Sequence, residues 1–323
     1  MEQRQLGNLW PVSALTLGGG GLGQLWGPTT REECVATVRA AVDAGISLLD
    51  LAPLYGNGES EQVVGEAFAG KLPAGLRVTT KCLLGNTAPG KVEAKLRASL
   101  EQSLRDLRLE RVDLFFLHSN LGPDGYTHPG ETNPLRAPTP WSTFTDTVRP
   151  LLVKLVNEGL IGAWGMSAIG VPSTLLQAFN DDLQPAVAQC ITNPLDSPGA
   201  LRMYEEPARP RDLIRAANDR GIGVLGIRAV QAGALTDAFD RNIPEESADM
   251  ADYHRVAGFR ALARELGQTP ADLAHRYALS MPGIATVVLG IKNRDELNAC
   301  LAAEAAGPLA PELIERIDAS VRS

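Results

Sequence analysis

The sequence predicts an α/β protein built as one (β/α)8 TIM barrel over 1–323, with long loops at the C-terminal face. Three observations point to it. Eight short runs are apolar almost without interruption, as parallel strands covered on both faces are. Longer stretches with helical spacing of apolar residues separate them. Composition does not break anywhere along the 323 residues, a length that a single barrel commonly reaches. A doubly wound open sheet is the alternative arrangement of the same units, but closure leaves no exposed sheet edge.

The runs are 14–18 (ALTLG), 46–50 (ISLLD), 76–80 (LRVTT), 112–117 (VDLFFL), 161–165 (IGAWG), 186–190 (AVAQC), 222–227 (IGVLGI) and 285–289 (ATVVL). The first leads into a glycine run at 18–23 (GGGGLG), followed by QLWGPTT rather than an immediate helix. That context fits a flexible turn at the barrel rim better than a dinucleotide fingerprint. Helix starts are written locally: Thr30 with Glu33, Thr269-Pro270 with Asp272, and Asn293 with Glu296. Gly45, Gly159 and Gly221 follow helical patterns and stand just before strands, where a left-handed cap residue is useful. Two stretches fit neither element, 119–140 and 231–252, and loops of that length usually shape a binding site. A final helix over 308–321 closes the chain.

Composition narrows the function. Thirty Lys and Arg against 38 Asp and Glu give a net charge of -8, which offers no basic field for nucleic acid. Cys34, Cys82, Cys190 and Cys300 are too dispersed to close a zinc site. The opening MEQRQLGNLW lacks an apolar signal core and no run of about 18 apolar residues follows, so the expectation is a cytoplasmic protein without a membrane partner. Oligomeric state is not written in the sequence.

In a barrel, reactive side chains gather at the C-terminal strand ends. Asp50 ends the second run, Tyr55 follows it in LAPLYGNG, Lys81 follows the third and His118 follows the fourth. Tyrosine ionises near pH 10, so it exchanges protons at neutral pH only where its anion is stabilised, as a nearby ammonium would do. Lysine in a barrel mouth needs a counter-charge, which Asp50 can supply. His118 can orient a carbonyl oxygen. Each residue alone also has a plainer reading: a capped turn, a packed ring, a snorkelling lysine, a satisfied loop carbonyl. It is their convergence on one rim that points to catalysis. His128, His254 and His275 fall in loop or helix patterns, leaving no metal-ligand set.

The segment DAGISLLDLAPLYGNGESEQVVGEAF, then TTK, DLFFLHS and EGLIGAWGMSAIG, resembles the aldo-keto reductase family over nearly the whole chain. The LAPLYG form resembles its branch of sugar and pyridoxal dehydrogenases. The resemblance implies an NAD(P)(H)-dependent oxidoreductase that interconverts a carbonyl (aldehyde, ketone, sugar lactol or lactone) and an alcohol by hydride transfer. It places the family's catalytic Asp, Tyr, Lys and His on Asp50, Tyr55, Lys81 and His118. It also implies Ser167 and Gln189 at the nicotinamide carboxamide, with Ala168 replacing a common Asn and Asn193 a possible substitute. Ile227 stands where relatives often stack an aromatic ring, and Arg228 with Gly233 falls in the pyrophosphate loop. Gly290, Lys292 and Arg294 belong to the adenosine end, which favours NADP(H), with NAD(H) the alternative because Glu296 and Cys300 replace common partners. Trp26 and Trp141 are candidate walls of the substrate pocket. A nucleotide-binding barrel without turnover, acting as a regulatory subunit, is the other functional class; its expected sign, loss of a member of the charged set, is absent.

Overall fold

A computed structural model describes residues 1–322. Its centre is a closed barrel of eight parallel strands: β1 (Leu15–Gly18), β2 (Leu48–Asp50), β3 (Arg77–Cys82), β4 (Val112–Leu117), β5 (Ile161–Ser167), β6 (Val187–Ile191), β7 (Gly223–Ile227) and β8 (Thr286–Leu289). Each pairs with its successor, and β8 closes on β1 through Val287 to Leu15 and Leu289 to Leu17. Around it lie α1 (Arg31–Asp43), α2 (Glu59–Phe68), α3 (Pro89–Leu107), α4 (Arg149–Asn157), α5 (Pro172–Asn180), α6 (Pro210–Asp219), α7 (Ala248–Arg255), α8 (Ala257–Glu265), α9 (Pro270–Ser280), α10 (Arg294–Ala305) and α11 (Pro311–Ser320).

Local chemistry sets the helix ends. The side chains of Thr30, Thr269 and Asn293 accept hydrogen bonds from the N–H groups of Glu33, Asp272 and Glu296, each satisfying a donor that the first turn leaves open. Gly45, Gly159 and Gly221 take φ values of 95°, 77° and 69°, which lets the chain leave α1, α4 and α6 sharply. All eight strands lie at the expected runs, with two extensions that matter. β3 continues to Cys82, so Lys81 is a strand residue rather than the first loop residue, and β5 continues to Ser167. The final helix starts at Pro311, later than the pattern suggests.

Two apolar layers result. Leu48, Leu114, Phe116, Val187 and Leu225 fill the barrel interior, while a larger core packs the outer strand faces against the helices. The bottom of the barrel is stopped by an N-terminal hairpin, Gln3–Gln5 with Pro11–Ser13, which inserts Leu6 and Val12. Its polar strand QRQ carries no apolar alternation, so no sequence pattern announced it.

The glycine run after β1 forms a short helix, Gly19–Leu22, rather than an open turn. Close approach requires the glycines. A Cβ at Gly21 would lie 1.7 Å from the carbonyl oxygen of Ile291, and one at Gly23 would lie 2.4 Å from the carbonyl carbon of Tyr55. This run therefore seats the loops after β2 and β8 against each other. Gly21→Ala should lower stability by about 1–3 kcal/mol in urea unfolding, because backbone must move. Gly90→Ala near the start of α3, where a Cβ meets nothing within 4 Å, should change it by less than about 1 kcal/mol.

Candidate active site

Side chains alternate along a strand, so every second residue enters the barrel. Above apolar Leu48 comes Asp50, above Thr79 comes Lys81, and above Phe116 comes His118. Ser167 pairs in register with Gln189, and Asp50 with Thr79. The apolar interior thus carries a polar layer at its C-terminal end. The alternation that fills the core also positions the site.

Lys81 is fully buried at the centre of this layer, and its ammonium donates three hydrogen bonds: to Asp50 Oδ2 at 2.9 Å, to the Leu51 carbonyl at 2.8 Å and to Tyr55 Oη at 3.2 Å. All three of its protons are committed, which fixes the group as a rigid charge. Asp50 is held in turn, its Oδ1 accepting from Thr79 Oγ1 at 2.8 Å and Gln189 Nε2 at 2.7 Å. Gln189 also accepts from Ser167 Oγ at 3.2 Å, so a continuous chain of hydrogen bonds crosses the barrel from Ser167 to Tyr55. The Tyr55 ring packs beside Gly19, lies 4.7 Å from the Lys81 ammonium and meets the edge of His118 at 5.8 Å between centroids.

Burial disfavours the charged form of Lys81, yet Asp50 and Tyr55 outweigh it and raise its pKa. Tyr55 shifts upward as well, mainly through burial, with Asp50 adding to that push; Lys81 pulls the other way without prevailing. At neutral pH Tyr55 is a neutral phenol whose ammonium neighbour waits for the anion. The His118 pKa is lowered to about 3, first by burial and then by Lys81, so the ring is neutral. Its buried Nδ1 has no hydrogen-bond partner.

These groups open into a cavity of about 720 Å³, within the range of small-molecule and cofactor sites. Asp50, Tyr55, His118, Ser167, Gln189 and Ile227 line one part of it, while Lys292, Glu296 and Cys300 also line it. Trp26, Arg228, Gly233 and Gly290 line it too. Lys81 stands behind Tyr55 and Asp50.

Other expected site residues lie elsewhere or are already engaged. Asn193 does not line the cavity: its amide donates to the carbonyls of Ser197 and Arg228 and to Gln231, and accepts from the N–H groups of Leu195 and Ser197. It ties loops together, with its amide engaged by Ser197, Arg228, Gln231 and Leu195. Trp141 is outside as well, packed on Phe144 at 5.8 Å under the Arg149 guanidinium. The loop 119–140 folds back through the pairing of Leu121–Gly122 with Thr139–Pro140, and it reaches the cavity through Leu135 and Arg136 rather than Trp141. Arg294 points away too, bound to both carboxylate oxygens of Glu33. Arg228 lines the cavity but is ion-paired with Asp249 at 2.5 Å and bonded to Gln231.

Sequence reading missed the strap formed by the loop after β7. Asp240 reaches Lys292 at 2.7 Å, and the Arg241 guanidinium lies 4.9 Å over the Trp26 ring. These contacts join the loops after β1, β7 and β8 across the cavity. Only the length and polarity of 231–252 hinted at it.

The geometry agrees with what sequence and fold comparisons find. The chain is similar to L-galactose dehydrogenase of Arabidopsis thaliana, 26% identical over 306 residues, covering 94% of this chain and 88% of that one. It is 23% identical over 313 residues to a probable voltage-gated potassium channel subunit beta of Oryza sativa subsp. japonica, covering 90% and 88%. In fold it is similar to the aldo-keto reductase AKR11C1 from Bacillus halodurans in its holo form, with a TM-score of 0.72 at 23% identity, covering 99% of this chain and 96% of that one. Residues 14–322 match the pattern of the Aldo/keto reductase family, and the chain belongs to that family.

Proposed function

We propose that Tyr55 transfers the proton in a carbonyl–alcohol interconversion, with Lys81, Asp50 and His118 as its supports. The family assigns the chain to nicotinamide-dependent oxidoreductases working by hydride transfer. One observation supports the residue roles most: a cavity-facing phenol bonded to a buried, fully committed ammonium, beside a neutral imidazole. The donor set fits a nicotinamide nucleotide. The Ser167 hydroxyl and Gln189 amide line the part of the cavity that holds Tyr55, and Lys292 lines it at the start of α10. The choice between NADP(H), which the sequence favours, and NAD(H) falls to the residues around Lys292.

A bound reduced nicotinamide supplies the hydride. The protein supplies the rest. Tyr55 donates its proton to the carbonyl oxygen, and the phenolate left behind faces the Lys81 ammonium at 3.2 Å. Because Asp50 and the Leu51 carbonyl hold that ammonium, its charge is already placed before the reaction starts. His118 is neutral and donates an N–H to the same oxygen, which orients the carbonyl without a second positive charge. Oxidation of an alcohol runs the proton back to the phenolate.

The mouth of the cavity supports a substrate class. Leu25, Leu54, Leu135 and Leu201 are exposed large apolar side chains, between 40% and 48% accessible, and all four line this one cavity. Such a rim favours a carbonyl on an apolar body. Sugar lactols, to which the name of the L-galactose dehydrogenase relative points, would bury hydroxyls there.

Three outcomes are expected. Tyr55→Phe should lower kcat for aldehyde reduction by about 10²–10⁴-fold, followed as nucleotide absorbance, while calorimetry shows nucleotide binding retained. Turnover close to wild type would remove Tyr55 from the role, and wild-type nucleotide binding without turnover on any aldehyde, ketone or aldose would favour a binding subunit. In a pH profile of reductive kcat/KM, no ionisation should fall near pH 6.5: His118, with its pKa near 3, is neutral from about pH 5 upward, and activity should decline only where Tyr55 deprotonates, which burial pushes above the ordinary tyrosine range. An inflection near neutrality that disappears in His118→Asn would contradict this. Finally, an aromatic or medium-chain aldehyde should exceed an aldose in kcat/KM by about thirtyfold, since burying about 80 Å² of apolar surface gives about 2 kcal/mol; equal values would point to the sugar class.

A further inference from the structure

The start of α10 is where a helix dipole and open N–H groups would normally attract an anion. In this chain the position is already filled. The backbone N–H of Arg294 donates to Glu33 Oε1 at 3.0 Å, and that of Glu296 to Asn293 Oδ1 at 2.9 Å. Just before the helix, the N–H of Lys292 donates to Glu296 Oε2 at 2.9 Å. Two carboxylates of the protein thus occupy donors that a phosphate would use.

The cations are equally engaged. The Lys292 ammonium contacts Asp240 at 2.7 Å and Glu296 at 2.5 Å, and these two carboxylates outweigh burial to raise its pKa. Arg294 is bound to Glu33 and faces outward from the cavity. At the cavity wall Lys292 and Arg241 stand against Asp240 and Glu296, and the four are paired with one another, so no net positive charge is left for a phosphate. Glu296 lines the cavity wall itself. A phosphate dianion entering here would have to displace Glu296 from Lys292 and then sit beside the released carboxylate, a repulsion that burial strengthens. A ribose hydroxyl meets the opposite situation, because a carboxylate is acceptor-only and hydroxyls are donors. Acidic residues select unphosphorylated ribose by the same chemistry in other nucleotide folds.

We infer that Glu296, assisted by Asp240, selects a nicotinamide nucleotide with a free 2'-hydroxyl, so that this enzyme works with NAD(H) and discriminates against NADP(H). This rests on the reading of the cavity as a nicotinamide-nucleotide site and reverses the preference expected from Lys292 and Arg294 in the sequence. Glu296 acts as a specificity determinant: it rejects the extra phosphate and leaves the reacting end of the cavity untouched.

Nucleotide binding tests this independently of turnover. NADH and NADPH are titrated separately into the whole protein, read by calorimetry and by quenching of tryptophan fluorescence, for which Trp26 lies in the cavity wall. Wild type should bind NADH about tenfold or more tightly than NADPH. Glu296→Gln keeps an acceptor for the Lys292 N–H while removing the charge, and should tighten NADPH binding about tenfold with a smaller loss for NADH. Asp240→Asn frees Lys292 in part and should move the ratio in the same direction. Equal or tighter binding of NADPH by wild type, or an unchanged ratio in Glu296→Gln, would overturn the selection while leaving the oxidoreductase reading intact. Failure of wild type to bind either nucleotide would overturn both.

Discussion

Everything at this barrel mouth depends on one buried ammonium. Lys81 lies inside β3 with no solvent access, and an uncompensated charge there would cost several kcal/mol. Asp50 from the neighbouring strand neutralises it, the Leu51 carbonyl takes a second proton, and Tyr55 takes the third. The arrangement that makes the lysine tolerable is also what makes the tyrosine useful, since the only partner free to change its protonation at that end is the phenol. Stability and chemistry share the same three hydrogen bonds.

The barrel provides the frame for this. Register sets Ser167 beside Gln189 and Asp50 beside Thr79, with Lys81 at the next inward position of β3, and apolar Leu48, Phe116 and Val187 lie among the inward positions next to them. These apolar side chains keep water from the ammonium, while the N-terminal hairpin seals the far end. Glycines at 18–23 let the loops after β1, β2 and β8 pack within backbone contact, so the tyrosine sits on a rigid turn despite lying outside any strand. A site built this way is organised before any ligand arrives.

The cavity has two parts with opposite electrostatic logic. Near Lys81 one cation is matched by one carboxylate, and the ammonium end of that pair faces the neutral phenol, where it can meet a phenolate. Near Lys292 the ammonium is held by two carboxylates, one of them shared with Arg241, so the field there is spent. The strap carrying Asp240 and Arg241 links these regions, because it touches Trp26 on one side and Lys292 on the other. On the proposed reading, side chains of the same types serve a proton transfer in one place and ligand selection in another, depending on how many partners each has.

Much of this was legible in the sequence because it is governed by local chemistry. Apolar runs gave eight strands, Thr30, Thr269 and Asn293 gave helix starts, and the positions of Asp50, Tyr55, Lys81 and His118 after successive runs gave the composition of the barrel mouth. What the chain order could not give is partnership between distant residues. That Gln189 bonds Asp50 across 139 positions, that Glu33 claims Arg294 from 261 positions away, and that Asn193 spends its amide on loops are facts of closure. The balance of burial against Lys81 at Tyr55 belongs with them, since desolvation is a property of the packed interior. Periodicity and caps act over a few residues and are written in sequence; charge pairing, desolvation and the facing of loops act through space, and only the folded barrel decides them.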